Sequence, residues 1–245
     1  IPFATIKVLH KPSGTFSDST GNFKVEASTS DTILITSIGF VTLKTTGFPR
    51  DTIYLEPISK ELSPVILVQK KLTSTSILGI NSKADFRWGL MPGDEFAQKI
   101  YLSLNTKEYC KIKKVIISME RFSNETPLLL HIYSIDTLTQ KPSTELLSRN
   151  SFFSRGDFKM GKTIFDLGSE NIYIEENAIF ISLQWLVPKD SKTARPFLRM
   201  TNTVTDRLTY SRTLAASTYD WFLSPILYGK TTNTIFQVEI DKFEK

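Results

Sequence analysis

The sequence has few of the residues that bind metals or form disulfides. Its 245 residues include one cysteine, Cys110, and two histidines, His10 and His131. A single thiol cannot form an internal disulfide, and it also excludes a Cys₂ or Cys₄ metal site. A zinc peptidase site needs two histidines with a carboxylate close by, and neither histidine has a glutamate within a few residues. No metal or other cofactor is therefore expected.

Long apolar runs and blocks of like charge are also missing. The longest apolar runs, such as PVILV and PLLL, are as short as single strands, whereas a membrane-spanning helix needs about 20 apolar residues. The 30 Lys and Arg and 25 Asp and Glu residues give a formal net charge of +5 and alternate along the chain. This spacing indicates a solvated surface, and neither a nucleic-acid partner nor a membrane span is expected.

The sequence also lacks the G-x-S-x-G, S-x-x-K and G-x-G-x-x-G motifs, and nucleotide phosphate binding is not expected. Cys110 lies next to Lys111, Lys113 and Lys114, whose positive charges could lower the pKa of its thiol. Since no catalytic motif accompanies it, Cys110 is interpreted as a structural residue. No catalytic residue is assigned, and a hydrolase with an unrecognised site is the third hypothesis for function.

Two pairs of carboxylates and one histidine are further candidates for chemistry. Asp94–Glu95 and Glu175–Glu176 are adjacent pairs, and both pairs are predicted to lie in solvent-exposed turns rather than to form a glycosidase site. His131 lies in the alternating segment LLLHIYS, which predicts a strand. We interpret it as a hydrogen-bonded sheet residue and not as a metal ligand.

The hydrophobic pattern predicts an all-β fold with two domains. In residues 1–70 apolar and polar residues alternate in four segments, TIKVL, NFKVEA, TILITSIGF and DTIYLEP, which predict the strands of a β-sandwich. Val65–Val68 is a further strand candidate, and the Lys/Ser/Thr-rich residues 71–81 are predicted to be a linker. Residues 82–245 are again rich in strand patterns and predict a jelly-roll-like β-sandwich, in which only GDEFAQKIYL resembles a short helix.

The segment GTFSDSTGNF, residues 14–23, reads as a turn between two strands. Asp18 can accept backbone N–H groups inside the turn, and Gly21 can adopt the positive φ that a tight hairpin needs. Phe23 and Val25 are then expected to begin the returning strand. We interpret the segment as a structural turn and not as a ligand-binding loop.

Residues 1–70 resemble the carboxypeptidase-like regulatory domain of gram-negative bacterial envelope proteins. The resemblance lies in the GTFSDSTGNF hairpin, the segment DTILITSIGF and the closing LEPISKELSPVILV. The matching positions are Pro2, Ala4, Gly14, Thr15, Asp18, Gly21, Phe23, Asp31, Ser37, Ile38, Gly39, Phe40, Leu55, Pro57, Leu62 and Val65. The resemblance implies a prealbumin-like β-sandwich without catalytic residues, here lacking its usual first strand.

Residues 82–245 more loosely resemble the β-sandwich that accompanies this domain in small envelope proteins of unassigned activity. The resemblance implies an extracytoplasmic location, in the periplasm or associated with the outer membrane. The chain opens with the strand-like IPFATIKVL and has no signal-peptide pattern, so a processed or trimmed N-terminus is expected.

Exposed aromatic residues are the best sequence indication of a ligand site. Trp88, Tyr210, Tyr219 and Trp221 lie in polar surroundings and are expected to be partly exposed, with Arg207 nearby; packing between the sheets is the alternative. The favoured function is a noncatalytic recognition or scaffold module whose partner is an envelope protein or a surface glycan. The alternative is a carbohydrate-binding accessory module that uses Trp88, Tyr219 and Trp221.

Overall fold

The described part of the chain consists of β-strands and connecting segments. The computed structural model describes residues 1–48, 51–58, 71–120, 128–152, 161–186 and 195–245, and the backbone of 158–159. No helix occurs within these ranges, and the strands form four sheets. The predicted all-β sandwich class is therefore confirmed.

The N-terminal half contains one antiparallel four-stranded sheet in the order β2-β1-β3-β4. Its strands are β1 (Thr5–Val8), β2 (Ser13–Phe16), β3 (Thr32–Thr36) and β4 (Leu43–Thr46). One face buries Ala4, Ile6, Ile33 and Ile35, against which side chains of the segments 22–28 and 51–57 pack. The strands predicted at NFKVEA and DTIYLEP are wrong, because these segments cover the sheet without forming strands. The candidate Val65–Val68 lies outside the described residues.

The turn predicted in GTFSDSTGNF is confirmed. The Asp18 carboxylate accepts the backbone N–H groups of Thr20 and Asn22 at 2.8 and 2.9 Å, and the Asp18 carbonyl accepts the Gly21 N–H at 3.1 Å. Gly21 has a φ of 90°, a conformation that is strained for residues with a Cβ atom. Phe23 and Val25 do not form the expected strand, although Val25 packs on the apolar face of the sheet.

Replacing Gly21 by valine should destabilise the protein by about 1–3 kcal/mol, because a β-branched residue is strained at positive φ. Chemical denaturation measures the change in the free energy of unfolding. Gly21→Asn is the matched control, since asparagine tolerates left-handed backbone and should cost less than valine. Unchanged stability of Gly21→Val would show that the turn geometry is wrong.

The C-terminal half is a jelly roll. Strands β5, β7, β8, β9, β10, β13, β15 and β20, taken in chain order, fall into two antiparallel sheets. One sheet has the order β13-β8-β20-β5 and the other the order β10-β9-β15-β7, so the chain passes from one sheet to the other as in two Greek keys. Their facing sides enclose the main apolar core, which includes Ile100, Ile112, Leu130, Ile181 and Val238.

The described residues of this half form sixteen strands. They are β5 (Leu72–Gly79), β6 (Phe86–Gly89), β7 (Asp94–Tyr101), β8 (Glu108–Ser118), β9 (Leu128–Ile135), β10 (Pro142–Glu145), β11 (Ser151–Phe152), β12 (Phe158–Lys159), β13 (Lys162–Asp166), β14 (Tyr173–Ile174), β15 (Ala178–Trp185), β16 (Phe197–Thr201), β17 (Thr209–Thr213), β18 (Phe222–Leu223), β19 (Asn233–Thr234) and β20 (Phe236–Glu244). Strands β17 and β18 extend the second sheet beyond β7, and β19, β16 and β6 form a small third sheet.

Two predictions about this half are wrong. Residues 71–81 are not a linker, because Leu72–Gly79 forms β5, which pairs with β20 as the first strand of the jelly roll. The segment GDEFAQKIYL is not a short helix, because Asp94–Tyr101 forms β7 between β15 and β17. The jelly roll therefore begins about ten residues earlier than the pattern predicted.

The two halves share one apolar core. Phe16 and Ile38 of the N-terminal half belong to the same continuous cluster as Leu147 and the jelly-roll interior. The rings of Phe3 and Phe152 meet edge to face, with centroids 5.0 Å apart. The N-terminal sheet is therefore fixed on the jelly roll by buried apolar contacts.

A buried lysine joins the halves as well. Lys7 is fully buried, and its Nζ donates to the backbone carbonyls of Ser13 and Lys11 in its own half and of Leu214 and Ala216 in the other. The bonds to Leu214 and Ala216 measure 3.1 and 2.8 Å. Burial lowers the pKa of Lys7 to about 8. The ammonium thus fastens the loop after β17 to the N-terminal sheet.

Candidate functional site

The candidate site lies on the outer face of the jelly-roll sheet formed by β9, β15, β7 and β17. Because side chains alternate along a strand, one face carries a connected set of polar residues. The register places Gln184 and Arg212 on either side of Glu95, and His131 opposite Ser182. These polar groups therefore form the floor of a site that is built from four strands.

Glu95 and Arg212 form an ion pair at the centre of this floor, and the Glu95 carboxylate is fully buried. Glu95 is 0% exposed, and its Oε2 accepts the Arg212 Nε–H at 2.7 Å. Its Oε1 accepts the hydroxyls of Ser182 at 2.7 Å and Tyr133 at 2.9 Å. Burial alone would raise the pKa of Glu95, but the Arg212 guanidinium and these hydrogen bonds outweigh it and lower the pKa. Glu95 is therefore an ionised carboxylate that accepts three hydrogen bonds from side chains.

The Arg212 guanidinium is surrounded by aromatic rings. Its Cζ lies 4.4 Å from the ring centroid of Tyr219, 4.3 Å from that of Trp221 and 5.7 Å from that of Tyr133. Its Nη2 also donates to the Tyr133 hydroxyl at 3.0 Å. Cation–π contacts of this kind stabilise a desolvated guanidinium and hold it in one orientation.

His131 and Glu145 form a second pair beside the first. The His131 Nδ1 lies 2.6 Å from Glu145 Oε2, and its Nε2 lies 3.1 Å from Gln184 Oε1. Burial lowers the pKa of His131, but the negative charges of Glu95 and Glu145 outweigh it and raise the pKa. Both ring nitrogens are engaged, so the prediction of a hydrogen-bonded sheet histidine is confirmed.

Replacing His131 by glutamine should destabilise the protein by about 1–3 kcal/mol at pH 6, through loss of charge-assisted hydrogen bonds. The pKa of His131 is raised in the folded state, so its stabilisation is present below the unfolded value of about 6.5 and is lost as the pH rises through the folded pKa. The difference between wild type and variant should therefore be smaller at pH 9.

Urea denaturation at pH 6 and pH 9 measures this difference. His10→Asn is the control, because His10 is exposed and has a positive φ that asparagine tolerates. A cost of His131→Gln that is equal at both pH values would contradict the assigned charge pair.

A cleft lies between this floor and the N-terminal half. Its volume is about 540 Å³, within the usual range of small-molecule sites. Thr36 and Phe40 are among the lining residues of the N-terminal half, and Glu145, Arg212 and Tyr219 are among those of the jelly roll. The N-terminal contribution is mainly apolar, whereas the jelly-roll side is mainly polar. The cleft therefore has two chemically different walls.

The structure separates the residues that were predicted to bind a ligand. Tyr219 lines the cleft, but Tyr210 and Trp221 are buried in an aromatic cluster, so the expectation that they are exposed is wrong. Trp88, on β6, is half-buried and packs against the main core. Arg207 is exposed and donates to the Ser224 carbonyl at 2.7 Å. The predicted set does not form one surface.

The two carboxylate pairs have different environments. Asp94 and Glu95 are both buried on β7, so the prediction that they lie in an exposed turn is wrong. Arg212 compensates the charge of Glu95 and lies on another strand, β17. Glu175 and Glu176 are exposed as predicted, and Glu175 pairs with Lys245 at 2.7 Å.

The structure argues against a reactive thiol at Cys110 and against a phosphate-binding loop that ends near Lys162. Cys110 is fully buried, and burial raises the pKa of its thiol to about 12, which agrees with a structural role. Residues 156–163, GDFKMGKT, do match the sequence pattern of a phosphate-binding loop. Such a loop ends in a helix, whereas Lys162–Asp166 is strand β13 and pairs with β8.

Four members of the site were not predicted from the sequence: Glu95, Arg212, Tyr133 and Gln184. Each occupies an alternate position on a strand, and the polar residues two positions apart, such as Ser182 and Gln184, were the available signal. Within the described ranges, no group of three or more His, Cys, Asp or Glu side chains could hold a metal ion. The same ranges contain no helix that is long and apolar enough to cross a membrane.

The fold defines an all-β jelly-roll protein with a second sheet packed on it. No protein-family model and no curated protein matches the chain. Among solved structures it is similar to a mutant VP2 protein of infectious bursal disease virus, with a TM-score of 0.29 and 8% identity over 99% of this chain and 59% of that chain.

A VP2 subviral particle of the same virus gives a TM-score of 0.31 and 10% identity over 99% of this chain and 64% of that chain. The chain thus spans about three-fifths of the length of these capsid proteins. TM-scores this far below 0.5 do not establish a common fold.

Proposed function

We propose that this protein is a noncatalytic recognition module of the bacterial cell envelope, and that it binds a ligand in the cleft between its two halves. The observation that carries this proposal is the cleft of about 540 Å³, whose ionisable floor residues are already paired with one another. Such a site can orient a ligand without offering it a reactive group.

The hydrogen bonds of the floor argue for binding rather than catalysis. A general base needs a free lone pair within reach of the substrate, but both nitrogens of His131 are engaged. Glu95 is completely buried and accepts three hydrogen bonds. Burial also raises the pKa of Tyr133, which keeps its hydroxyl protonated. The proposal therefore places the hydrolase hypothesis below recognition.

The rigidity of the floor supports recognition as well. Its side chains come from β-strands and are fixed by ion pairs, hydrogen bonds and ring stacking, as for His131 and Tyr133, whose ring centroids are 5.4 Å apart. A preorganised site loses little conformational entropy when it binds, and this favours affinity.

The envelope location rests on the resemblance of residues 1–70 to the carboxypeptidase-like regulatory domain. The matching positions are specific to that domain as an ensemble. An extracytoplasmic protein, in the periplasm or at the outer membrane, would meet envelope proteins and surface glycans as partners. Fractionation of cells that express the native gene tests this location, and recovery in the cytosol would contradict it.

Filling the cleft tests the binding function. Thr36→Phe places a ring in the cleft, whereas Thr46→Phe adds the same ring to the exposed edge strand β4. We expect a thermal-shift screen of envelope glycans, peptides and small metabolites to yield a ligand that raises the melting temperature of wild type and Thr46→Phe but not of Thr36→Phe. A complete screen without such a ligand, or equal stabilisation of both variants, would contradict the proposal.

The carbohydrate-binding alternative needs exposed aromatic rings that can stack on a sugar, and most of the rings predicted for this role do not line the cleft. Tyr210 and Trp221 are buried, and of the named aromatic residues only Tyr219 lines the cleft. Retardation of the protein in polysaccharide gels that is abolished by Tyr219→Ala would restore this alternative.

A further inference from the structure

We infer that the cleft takes a small amphipathic acid, with its carboxylate at Arg212 and Tyr219 and its apolar body against the N-terminal half. This inference rests on the proposed function, because it names the ligand class of the same cleft. It follows from a count of the hydrogen-bonding groups that the cleft leaves unused and from the apolar character of the opposite wall.

Arg212 has donors to spare. A guanidinium carries five N–H groups, and the described residues use one on Nε, for Glu95, and one on Nη2, for Tyr133. The rings of Tyr219 and Trp221 lie 4.4 and 4.3 Å from its Cζ, so further hydrogen bonds must form at its edges. Arg212 lines the cleft, and its side chain is 18% exposed. It can therefore meet a ligand oxygen without leaving Glu95.

Tyr219 supplies a second donor. Its hydroxyl oxygen accepts the Gln184 amide N–H at 3.3 Å, and no described residue accepts the hydroxyl proton. Burial raises the pKa of Tyr219 to about 12, so the hydroxyl stays protonated at physiological pH. Its ring packs on the Arg212 guanidinium and both residues line the cleft, so the two donors border the same space.

The acceptors of the floor are more fully used than its donors. Glu95 accepts from Arg212, Tyr133 and Ser182. Glu145 accepts the backbone N–H groups of Ile132 and Leu147 at 3.1 Å each and also faces His131. An ammonium ligand would find about one unused lone pair on each carboxylate, whereas a carboxylate ligand would meet three unused N–H groups of Arg212 and the Tyr219 hydroxyl.

The opposite wall suits an apolar body. Phe3, Leu34, Phe40 and Val41 of the N-terminal half line the cleft, and Leu129 joins them from the jelly roll. These side chains cannot hydrogen-bond a ligand, but burial of apolar ligand surface against them is favourable. A ligand with an acidic head and a short hydrocarbon or aromatic body would match both walls.

Isothermal titration calorimetry on the full chain tests the inference with four probes: octanoate, octanol, octylamine and acetate. Octanoate has both head and body, octanol and octylamine change the head, and acetate lacks the body. We expect octanoate to bind at least tenfold more tightly than each of the other three. Equal affinity for octanol or octylamine would overturn the acidic head, and equal affinity for acetate would overturn the apolar body.

Variants locate the binding. Tyr219→Phe keeps the ring that packs on Arg212 but removes the hydroxyl, so it should weaken octanoate about tenfold and leave octanol unchanged. Thr36→Phe should abolish octanoate binding, and Thr46→Phe should not affect it. Octanoate binding that is insensitive to both Tyr219→Phe and Thr36→Phe would overturn the inference.

The outcomes separate the two proposals. If octanoate fails to bind but another ligand is excluded by Thr36→Phe, the acid class is wrong and the recognition function of the cleft stands. If no ligand of any class is sensitive to Thr36→Phe, the recognition function fails too. Arg212 is left unchanged in these tests because its replacement affects folding.

Discussion

Arg212→Met is expected to lower the free energy of unfolding by about 3–5 kcal/mol at pH 7, because it leaves the Glu95 carboxylate buried without its charge partner. Glu95 is 0% exposed, so its charge depends on protein partners and not on bulk water. Methionine keeps much of the apolar length of arginine and still packs against the rings of Tyr219 and Trp221. The loss therefore reports mainly the unpaired charge.

The free energy of unfolding of Arg212→Met is also expected to depend on pH. Without Arg212, burial would raise the pKa of Glu95 above its unfolded value, so the folded variant would bind a proton more tightly than the unfolded chain. The variant should then become more stable as the pH falls from 7 towards 5. Urea denaturation across this range measures the change, and a loss below about 1 kcal/mol at pH 7 would contradict a buried ion pair.

The double variant Glu95→Gln/Arg212→Met is the control. It removes both charges and so should recover much of the stability that Arg212→Met loses, since replacing a whole buried pair costs less than removing one partner. The glutamine side chain still accepts from Ser182 and Tyr133. Equal stability of the single and double variants would assign the loss to packing instead of charge.

Phe16→Ala should destabilise the whole protein by about 3–5 kcal/mol, the usual cost of removing a buried phenylalanine. Phe16 lies on β2 of the N-terminal sheet but belongs to the main core of the jelly roll. Since the two halves share this core, they should unfold in one transition. Loss of Phe16 should then shift the unfolding of residues that are distant in sequence.

Tryptophan fluorescence makes this test selective. The three tryptophans, Trp88, Trp185 and Trp221, all lie in the jelly-roll half, so their fluorescence reports that half alone. The fluorescence midpoint in urea should fall in Phe16→Ala together with the far-UV circular dichroism midpoint. Phe23→Ala is the control, because Phe23 is 36% exposed in the same half. An unchanged fluorescence midpoint in Phe16→Ala would mean that the halves unfold independently.

Much of the fold follows from alternation in the sequence. TIKVL and TILIT have one face of apolar residues, and this pattern predicted the strands β1 and β3. LLLHIYSI and AIFISLQW form β9 and β15, which are central in their sheet. The turn at Gly21 is equally local, because its hydrogen bonds join residues four positions apart or fewer.

Other elements depend on partners that the sequence does not place. LTSTSILG reads as a linker because its side chains are small and polar, but β20 pairs with it and makes it an edge strand. The acidic segment at Asp94 and Glu95 reads as an exposed turn because buried carboxylates are rare without partners. Arg212 compensates Glu95 from 117 positions away in sequence.

Only part of the candidate site could be predicted, because the residues that pair in it are distant in sequence. His131 stood out by its position on an alternating strand, but its partners, Glu145 and Gln184, are 14 and 53 positions away. The aromatic residues were candidates because of their residue type. The contact between Trp221 and Arg212 depends on the register of the sheet, which the sequence does not specify. A strand pattern predicts which residues share a face, whereas the order of strands decides which faces meet.

Lys7 can also report on the state of the protein. Amine-reactive reagents modify only amines that solvent reaches, and the Nζ of Lys7 is enclosed by carbonyls from both halves. Covalent labelling at this position would therefore be slow in the closed protein and would follow the rate at which the N-terminal sheet lifts from the jelly roll. Mass spectrometry of the labelled chain would measure this opening at one native residue, without a mutation to introduce a labelling site.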